Sequence, residues 1–159
     1  MTETTQPPDT SLRLERTFDA PAEEVFDAWT DPEVLRRWWR ADPTWTTPVA
    51  EVDLRVGGSY RISMQDPDGG VRHTVVGQYR EVSRPERLVY SWQWEQEDGK
   101  PGRASLVTVG FHAEGDRTKV VLVHTDLESA QSSERHAHGW EQVLSQLQGH
   151  LSENAAHAI

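Results

Sequence analysis

The chain contains no cysteine, and only two methionines and two lysines occur among its 159 residues. The absence of cysteine excludes disulfide bonds, thiolate nucleophiles and thiolate metal sites together. No stretch approaches the roughly 18 apolar residues of a membrane-spanning helix. The chain begins with MTETTQPPDTS, which has neither the basic nor the apolar region of a secretory signal. We therefore expect a cytoplasmic protein without a membrane partner.

Positive charge is also scarce. Sixteen Lys and Arg residues stand against 26 Asp and Glu residues, and the formal net charge is −10. A chain of this charge is repelled by a phosphate backbone, so we expect no nucleic-acid partner. The spacings GxGxxG and GxxxxGK[ST] of nucleotide-binding loops are absent, and we expect no cofactor.

The length fits one domain of ordinary size. We expect a disordered N-terminal tail over residues 1–11, a single folded domain over residues 12–151 and a frayed C-terminal tail over residues 152–159. Both tails are polar or lack a hydrophobic period, which is typical of segments that do not join a core.

Hydrophobic periodicity divides the folded part into elements. LRLERTF (12–18) alternates like a half-buried strand, with Arg16 as one polar residue at an inward position. Two short helices follow in 19–39, each introduced by an aspartate and a proline. From Pro48 to Thr125 the period is two, which predicts six antiparallel strands. A long amphipathic helix from Ala130 to Leu151 completes the folded part.

Two glycine positions carry expectations of their own. VGG (56–58) ends a strand predicted over residues 49–56, and we expect it to let the sheet bend. Gly139 lies in the middle of the long helix, where glycine costs about 1 kcal/mol relative to alanine. We expect a bulky group to approach the helix backbone there.

Five segments occur in a specific order and spacing: FDAPAEEVFDAWTDPEVLRRWW (18–39), VGG (56–58), PERLVYSW (85–92), TKVVLVHTDL (118–127) and HGWEQVLSQLQGHL (138–151). Together they resemble the SRPBCC superfamily, also called START-like, and are most similar to the branch named after the heat-shock protein 90 ATPase activator. The resemblance implies an α+β helix-grip fold. In this fold a curved antiparallel sheet, in the order β-α-α-β6-α, wraps around the long C-terminal helix and leaves an internal cavity.

The inner face of the predicted sheet supplies most of the candidate ligand-binding residues. Aromatic side chains are frequent on it, and their phenol and indole groups can orient a ligand. Ordinary core packing is the alternative role for the same side chains. The candidates are Trp39, Tyr60, Ile62, Met64, Val75, Tyr79, Tyr90, Trp92, Trp94, Val109, Phe111, Leu122, His124, His136 and Trp140.

Three of the seven tryptophans lie within eight positions, in RRWWRADPTW (36–45). Trp38 follows Val34 by four residues, so we expect it to pack inward. We expect Trp39 or Trp45 to border the mouth of the cavity or a subunit contact.

His124 is the candidate for acid-base chemistry. It continues the apolar face of its strand, and Asp126 lies two positions on, where a carboxylate beside an imidazole favours a general base. A core histidine satisfied by hydrogen bonds is the alternative, and no serine or cysteine is visibly paired with His124. His136 and His138 point to different faces of the helix, so they cannot chelate one metal ion together. A site formed with His73 and His112 from other strands is the alternative to our expectation of no metal site.

The cavity implied by the resemblance leads us to predict a non-catalytic protein that binds a small hydrophobic or aromatic molecule. Two alternatives stay open: a cyclase- or hydrolase-like enzyme that uses His124 or a cavity tyrosine, and a co-chaperone-like protein-interaction module. The superfamily includes ligand carriers, cyclase-like proteins and co-chaperones, so the fold does not choose among them. We also expect a homodimer formed through exposed strand or loop aromatics.

Overall fold

A computed structural model of the chain describes residues 10–68, 70, 72–96 and 98–157, with the backbone alone from residue 153. Residues 1–9 of the expected N-terminal tail and residues 158 and 159 of the expected C-terminal tail lie outside the described residues. None of the described helices has both the length and the apolar character that crossing a bilayer requires.

The elements follow the predicted order of one strand, two short helices, six strands and one long helix. Their bounds are β1 (Leu12–Phe18), α1 (Ala22–Thr30), α2 (Pro32–Trp38), β2 (Thr46–Val52), β3 (Ser59–Gln65), β4 (Arg72–Ser83), β5 (Arg87–Trp94), β6 (Ser105–Glu114), β7 (Arg117–Thr125) and α3 (Ala130–His157). The expected α+β fold is confirmed.

α3 extends past its expected end at Leu151 to His157. Residues 152–157, which were expected to fray, are helical. The segment contains glutamate and alanine, which favour the helix, and extending an existing helix avoids the cost of nucleation.

All seven strands form one antiparallel sheet in the order β1-β7-β6-β5-β4-β3-β2. β1 joins the far edge by pairing with β7, where Leu14 lies opposite Leu122. The register shifts between Thr46 and Val49 in β2, and again between Tyr79 and Glu81 in β4. Such irregularities increase twist and bend strands, and the sheet curls into a half-barrel against which α3 packs.

The strand predicted over residues 49–56 ends earlier, at Val52. A tight turn follows, in which Gly57 has a φ of +85° and a Cβ on Gly58 would lie 2.1 Å from the carbonyl oxygen of Asp53. Both glycines are therefore required by the turn itself. VGG closes the connection between β2 and β3 and hydrogen-bonds to β4 at Tyr79, and its contribution to the bend of the sheet stays a prediction.

Arg16 occupies the one polar position of the inward face of β1. Its guanidinium donates hydrogen bonds to Ser145 Oγ at 3.0 Å and to Gln148 Oε1 at 3.4 Å. Both partners belong to α3, whose apolar side, which includes Leu144 and Leu147, is buried. Arg16 thus joins the β1 edge of the sheet to α3.

Candidate functional site

A cavity of about 740 Å³ lies between α3 and the concave side of the sheet. This volume falls in the range of sites that hold small organic molecules. Most of the wall is apolar or aromatic, and the exposed outer end carries polar side chains. The wall includes Trp39, Trp45, Met64, Trp92, Trp94, His136, Trp140 and Val143.

Four tryptophans form a continuous aromatic surface of the cavity, which we call the indole wall: Trp39, Trp92, Trp94 and Trp140. The ring centroids of Trp92 and Trp140 are 5.0 Å apart, and those of Trp39 and Trp140 are 5.4 Å apart. Trp94 meets Trp92 edge to face at 5.3 Å. Aromatic rings attract one another at these separations, so the end of α2, strand β5 and helix α3 are held together at the wall.

The three tryptophans of residues 36–45 have different surroundings. Trp38 is fully buried, and its Nε1 donates to the carbonyl oxygen of Ala28 at 2.9 Å. Trp39 follows the last residue of α2 and lines the cavity. Trp45 is half-buried, lines the cavity and stacks on His73 with ring centroids 5.2 Å apart.

Six of the fifteen candidate ligand-binding residues line this cavity, and nine do not. The six come from the residue after α2 and from β3, β5 and α3; they are Trp39, Met64, Trp92, Trp94, His136 and Trp140. The nine that the structure places in the core instead are Tyr60, Ile62, Val75, Tyr79, Tyr90, Val109, Phe111, Leu122 and His124.

The three candidate tyrosines pack against one another, with ring centroids 5.3 to 5.9 Å apart. Tyr60 OH donates to the carbonyl oxygen of Ser91 at 2.5 Å, and Tyr90 OH accepts from Trp29 Nε1 at 3.1 Å. Burial raises the pKa of all three phenols. None of the three is among the residues that line the cavity, and Trp29 of α1 contacts the cluster at Tyr90.

Phe111 shows the same effect of α1. Its ring lies 5.3 Å from Phe26 and 5.8 Å from Trp29, both of α1. Strand alternation predicted the correct face for these residues. The part of that face that α1 contacts depends on helix packing, and strand alternation carries no information about helix packing.

His124 is fully buried and held by two side chains. Trp140 Nε1, which can only donate, lies 3.1 Å from His124 Nδ1, so Nδ1 is unprotonated. The proton of the neutral ring is on Nε2, which donates to Ser105 Oγ at 2.7 Å. Ser105 Oγ in turn donates to the carbonyl oxygen of Trp92 at 3.1 Å. Burial lowers the pKa of His124 to about 3, so the ring is neutral.

This arrangement is the reverse of a catalytic serine-histidine pair. A general base presents an unprotonated nitrogen to the hydroxyl that it activates. Here a protonated nitrogen faces Ser105, whose own proton is directed to a carbonyl. Asp126, the expected carboxylate partner, is exposed in a left-handed conformation with φ of +63°. The hydrogen bonds of His124 go to Ser105 and Trp140 instead, so the expected base pair was wrong.

The sequence did not reveal Ser105 because it lies 19 residues from His124. The pairing of β6 with β7 brings the two together, and no local spacing signals that contact. His124 is therefore a core histidine whose two ring nitrogens are both hydrogen-bonded, which was the alternative to a general base.

His136 is held in the opposite tautomer. Trp94 Nε1 donates to His136 Nε2 at 3.0 Å, and His136 Nδ1 donates to the carbonyl oxygen of Ser132 at 2.8 Å. Burial lowers the pKa of this imidazole as well. Both histidines near the indole wall are therefore uncharged, and each accepts one indole proton.

The described residues contain no group of three or more His, Asp or Glu arranged to hold a metal ion. His73 stacks on Trp45 at the cavity, while His112 borders a different groove together with Val121 and Val123. The two histidines are thus on different surfaces of the sheet.

The outer end of the cavity carries balanced charge. Arg103 and Arg135 are exposed there, as are Asp126 and Glu128. Arg103 Nε donates to the carbonyl oxygen of Asp126 at 3.2 Å. Sequence reasoning missed Arg103, Glu128 and Arg135, because they lie outside the periodic face of the sheet, and it considered Asp126 only as a partner of His124.

Gly139 and Val143 also line the cavity from α3, and neither was a candidate. Val143 follows Trp140 by three residues, a helical spacing that points to the same side. A Cβ on Gly139 would have no neighbour within 4 Å. The expectation of a bulky group at Gly139 was wrong: the position borders open volume.

The family model for Activator of Hsp90 ATPase homolog 1-like protein matches residues 19–152. Several solved structures are similar over most of the chain. An AHSA1 protein from Silicibacter pomeroyi is 28% identical, with a TM-score of 0.82 over 91% of this chain and 99% of that one. A protein from Chromobacterium violaceum is 27% identical, with a TM-score of 0.79 over 88% and 96%.

An AHSA1-like protein from Aeromonas hydrophila is 29% identical, with a TM-score of 0.74 over 92% of this chain and 94% of that one. No curated protein matches the chain.

Proposed function

The chain belongs to the family of Activator of Hsp90 ATPase homolog 1-like proteins, and from this premise we propose that it binds a small hydrophobic or aromatic molecule without catalysing a reaction. Membership supports a ligand-binding or interaction domain in general. The observation that favours ligand binding is the indole wall beside a cavity of about 740 Å³. Flat aromatic molecules gain both apolar burial and ring contacts against such a wall.

The enzyme alternative has little support among the candidate residues. Both nitrogens of His124 are already engaged, and its protonated nitrogen faces Ser105. The tyrosines belong to a buried cluster outside the cavity, and burial raises the pKa of their hydroxyls further from neutrality. Neither group is poised to exchange a proton with a molecule in the cavity.

The interaction alternative and the expected homodimer both need an exposed apolar surface. Among the described residues the exposed large apolar side chains are Leu54 and Val56, in the turn after β2. Two side chains form a smaller patch than a stable interface needs. The exposed aromatics on which the homodimer was expected to rely are not found in the described part of the chain.

Binding is tested with N-phenyl-1-naphthylamine, a neutral probe whose fluorescence rises in apolar surroundings. We expect a saturable rise with one site per chain. Gly139→Leu places a side chain into the cavity and weakens binding by about tenfold or more, which corresponds to about 1.4 kcal/mol.

Gly149→Leu is the matched control. Gly149 lies in the same helix, and a Cβ there also has no neighbour within 4 Å, but it does not line the cavity. This variant should bind the probe like the wild type. A wild-type protein without saturable binding, or equal weakening in both variants, would exclude the cavity as the binding site.

A further inference from the structure

Two N–H groups of the indole wall have no hydrogen-bond partner. Trp39 Nε1 and Trp92 Nε1 are both buried and unpaired, in side chains that are 2% and 5% exposed. The other two indoles of the wall, Trp94 and Trp140, donate to imidazole nitrogens. The two halves of the wall therefore differ in hydrogen bonding although all four rings are alike.

An unpaired buried donor is rare in folded proteins, because it gives up water without gaining a partner. The buried indole N–H groups of the core do have partners: Trp38 donates to a backbone carbonyl and Trp29 to a tyrosine hydroxyl. The one further unpaired buried side-chain nitrogen of the described residues, Arg40 Nε, is not on the cavity wall. Both unpaired indoles line the cavity, so an occupant of the cavity is the group that can supply an acceptor.

The imidazole acceptors beside the wall are already used. His124 Nδ1 and His136 Nε2 accept from indoles, and the Trp92 carbonyl accepts from Ser105. Both imidazoles are neutral, and the arginines of the cavity lie at its exposed outer end. The buried wall thus offers spare donors and no charge, which disfavours a desolvated carboxylate or ammonium group against it.

We propose that the cavity selects an aromatic molecule with a neutral acceptor oxygen, such as an aryl ketone or quinone, whose oxygen accepts hydrogen bonds from Trp39 and Trp92. The two rings are neighbours with centroids 6.1 Å apart, and a carbonyl oxygen has two lone pairs for two donors. Neither nitrogen is exposed to solvent, so binding includes a small turn of each ring toward the oxygen. The inference rests on the proposed function and adds the chemical class of the ligand.

The test compares 9-fluorenone with fluorene, which share one ring skeleton and differ in the carbonyl oxygen. Dissociation constants for both are measured by quenching of tryptophan fluorescence in the full chain. The ratio of the two constants is then compared between wild type and variants, because water solubility cancels in that comparison. In the double variant Trp39→Phe/Trp92→Phe, we expect the preference for the ketone to fall by about tenfold.

Trp94→Phe is the matched control, since it removes an indole of the same wall whose proton is already given to His136. Its ketone preference should equal that of the wild type. An equal preference in the wild type and the double variant, with both compounds bound, overturns the inference and leaves the proposed function standing. A fall in Trp94→Phe as large as in the double variant also overturns it. Absence of binding by either compound overturns the proposed function and the inference together.

Nuclear magnetic resonance of the wild type provides a measurement that does not depend on folding of the double variant. The indole Nε1–H signals are assigned with single Trp→Phe variants. Fluorenone should shift the Trp39 and Trp92 signals downfield, and fluorene should not. If fluorenone binds and the Trp39 and Trp92 signals have the same chemical shifts as with fluorene, the inference is overturned.

Discussion

At the scale of single residues, Trp38 and Trp39 show how neighbours of the same type acquire different roles. Trp38 Nε1 donates to the carbonyl oxygen of Ala28, in the last turn of α1. The last carbonyls of a helix have no partner within the helix, so Trp38 completes the hydrogen bonding of α1. Trp39, one position on, has an indole proton without a partner.

This difference predicts unequal costs for the same substitution. Trp38→Phe leaves the Ala28 carbonyl buried without its donor, whereas Trp39→Phe removes a donor that was already unpaired. We expect Trp38→Phe to lower the free energy of unfolding by about 1–3 kcal/mol more than Trp39→Phe. Urea unfolding of both variants measures the difference, and equal losses would contradict the assigned hydrogen bonds.

At the scale of elements, the two short helices begin differently although their sequences look alike. Asp31 Oδ1 accepts from the backbone N–H of Glu33 at 2.9 Å, and Pro32 is the first residue of α2. α1 has Pro21 at its N-cap and no side-chain cap. Asp19 was expected to mark the start of α1. It lies two residues before that proline, and the helix begins at Ala22.

The two aspartates therefore form a matched pair for substitution. Asp31→Ala should lower the free energy of unfolding by about 1 kcal/mol, because the cap of α2 is lost. Asp19→Ala should change it by less than about 0.5 kcal/mol, as is usual for surface positions. Thermal and urea unfolding of the two variants check this. A larger loss in Asp19→Ala would mean that Asp19 supports α1 by another contact.

At the scale of the whole molecule, two helices share the concave side of one sheet. α1 packs on β6 and β7, where Phe26 and Trp29 contact Phe111, and Trp29 reaches the tyrosine cluster at Tyr90. α3 covers another part, where the cavity lies between Trp140 and the strands. In this part, His124 and His136 accept hydrogen bonds from indoles and must therefore be neutral. The free energy of unfolding consequently depends on pH.

Burial lowers the pKa of His124 from its ordinary value of 6.5 to about 3 in the folded protein. Between these values the unfolded chain binds a proton that the folded chain does not, so stability falls as the pH is lowered through this window. The loss should be about 2 kcal/mol between pH 8 and pH 5. His136 adds to it in the same direction, since its pKa is also lowered.

Urea unfolding at several pH values measures this dependence. The lowered pKa of Glu15 and of Asp42 affects stability only at more acidic pH, near and below the ordinary values of 4.5 and 3.8 for these carboxyls. His124→Gln removes one titrating group and should reduce the slope between pH 8 and pH 5. Identical slopes in wild type and variant would contradict a neutral, buried His124.

The sequence by itself determined the order of elements and the face that each strand turns inward. Alternation along LVYSW and VVLVH placed Tyr90, Trp92 and His124 on the inner face, because the side-chain period of a strand is two. Helical spacing likewise placed Trp140 on the buried side of α3, and the family resemblance predicted the curl of the sheet around that helix. The order of elements and the inward faces depend on local patterns, because the residues that form each pattern lie within a few positions of one another.

The tertiary structure alone decided which inner residues belong to the core and which to the cavity. Tyr60 and Trp92 both point inward and are both aromatic, yet Tyr60 packs into the tyrosine cluster while Trp92 borders open volume. The partners of His124 come from β6 and α3, so its tautomer depends on contacts between distant segments. Hydrophobic periodicity records only that a side chain is turned inward, and the group that it meets there is set by the packing of the whole chain.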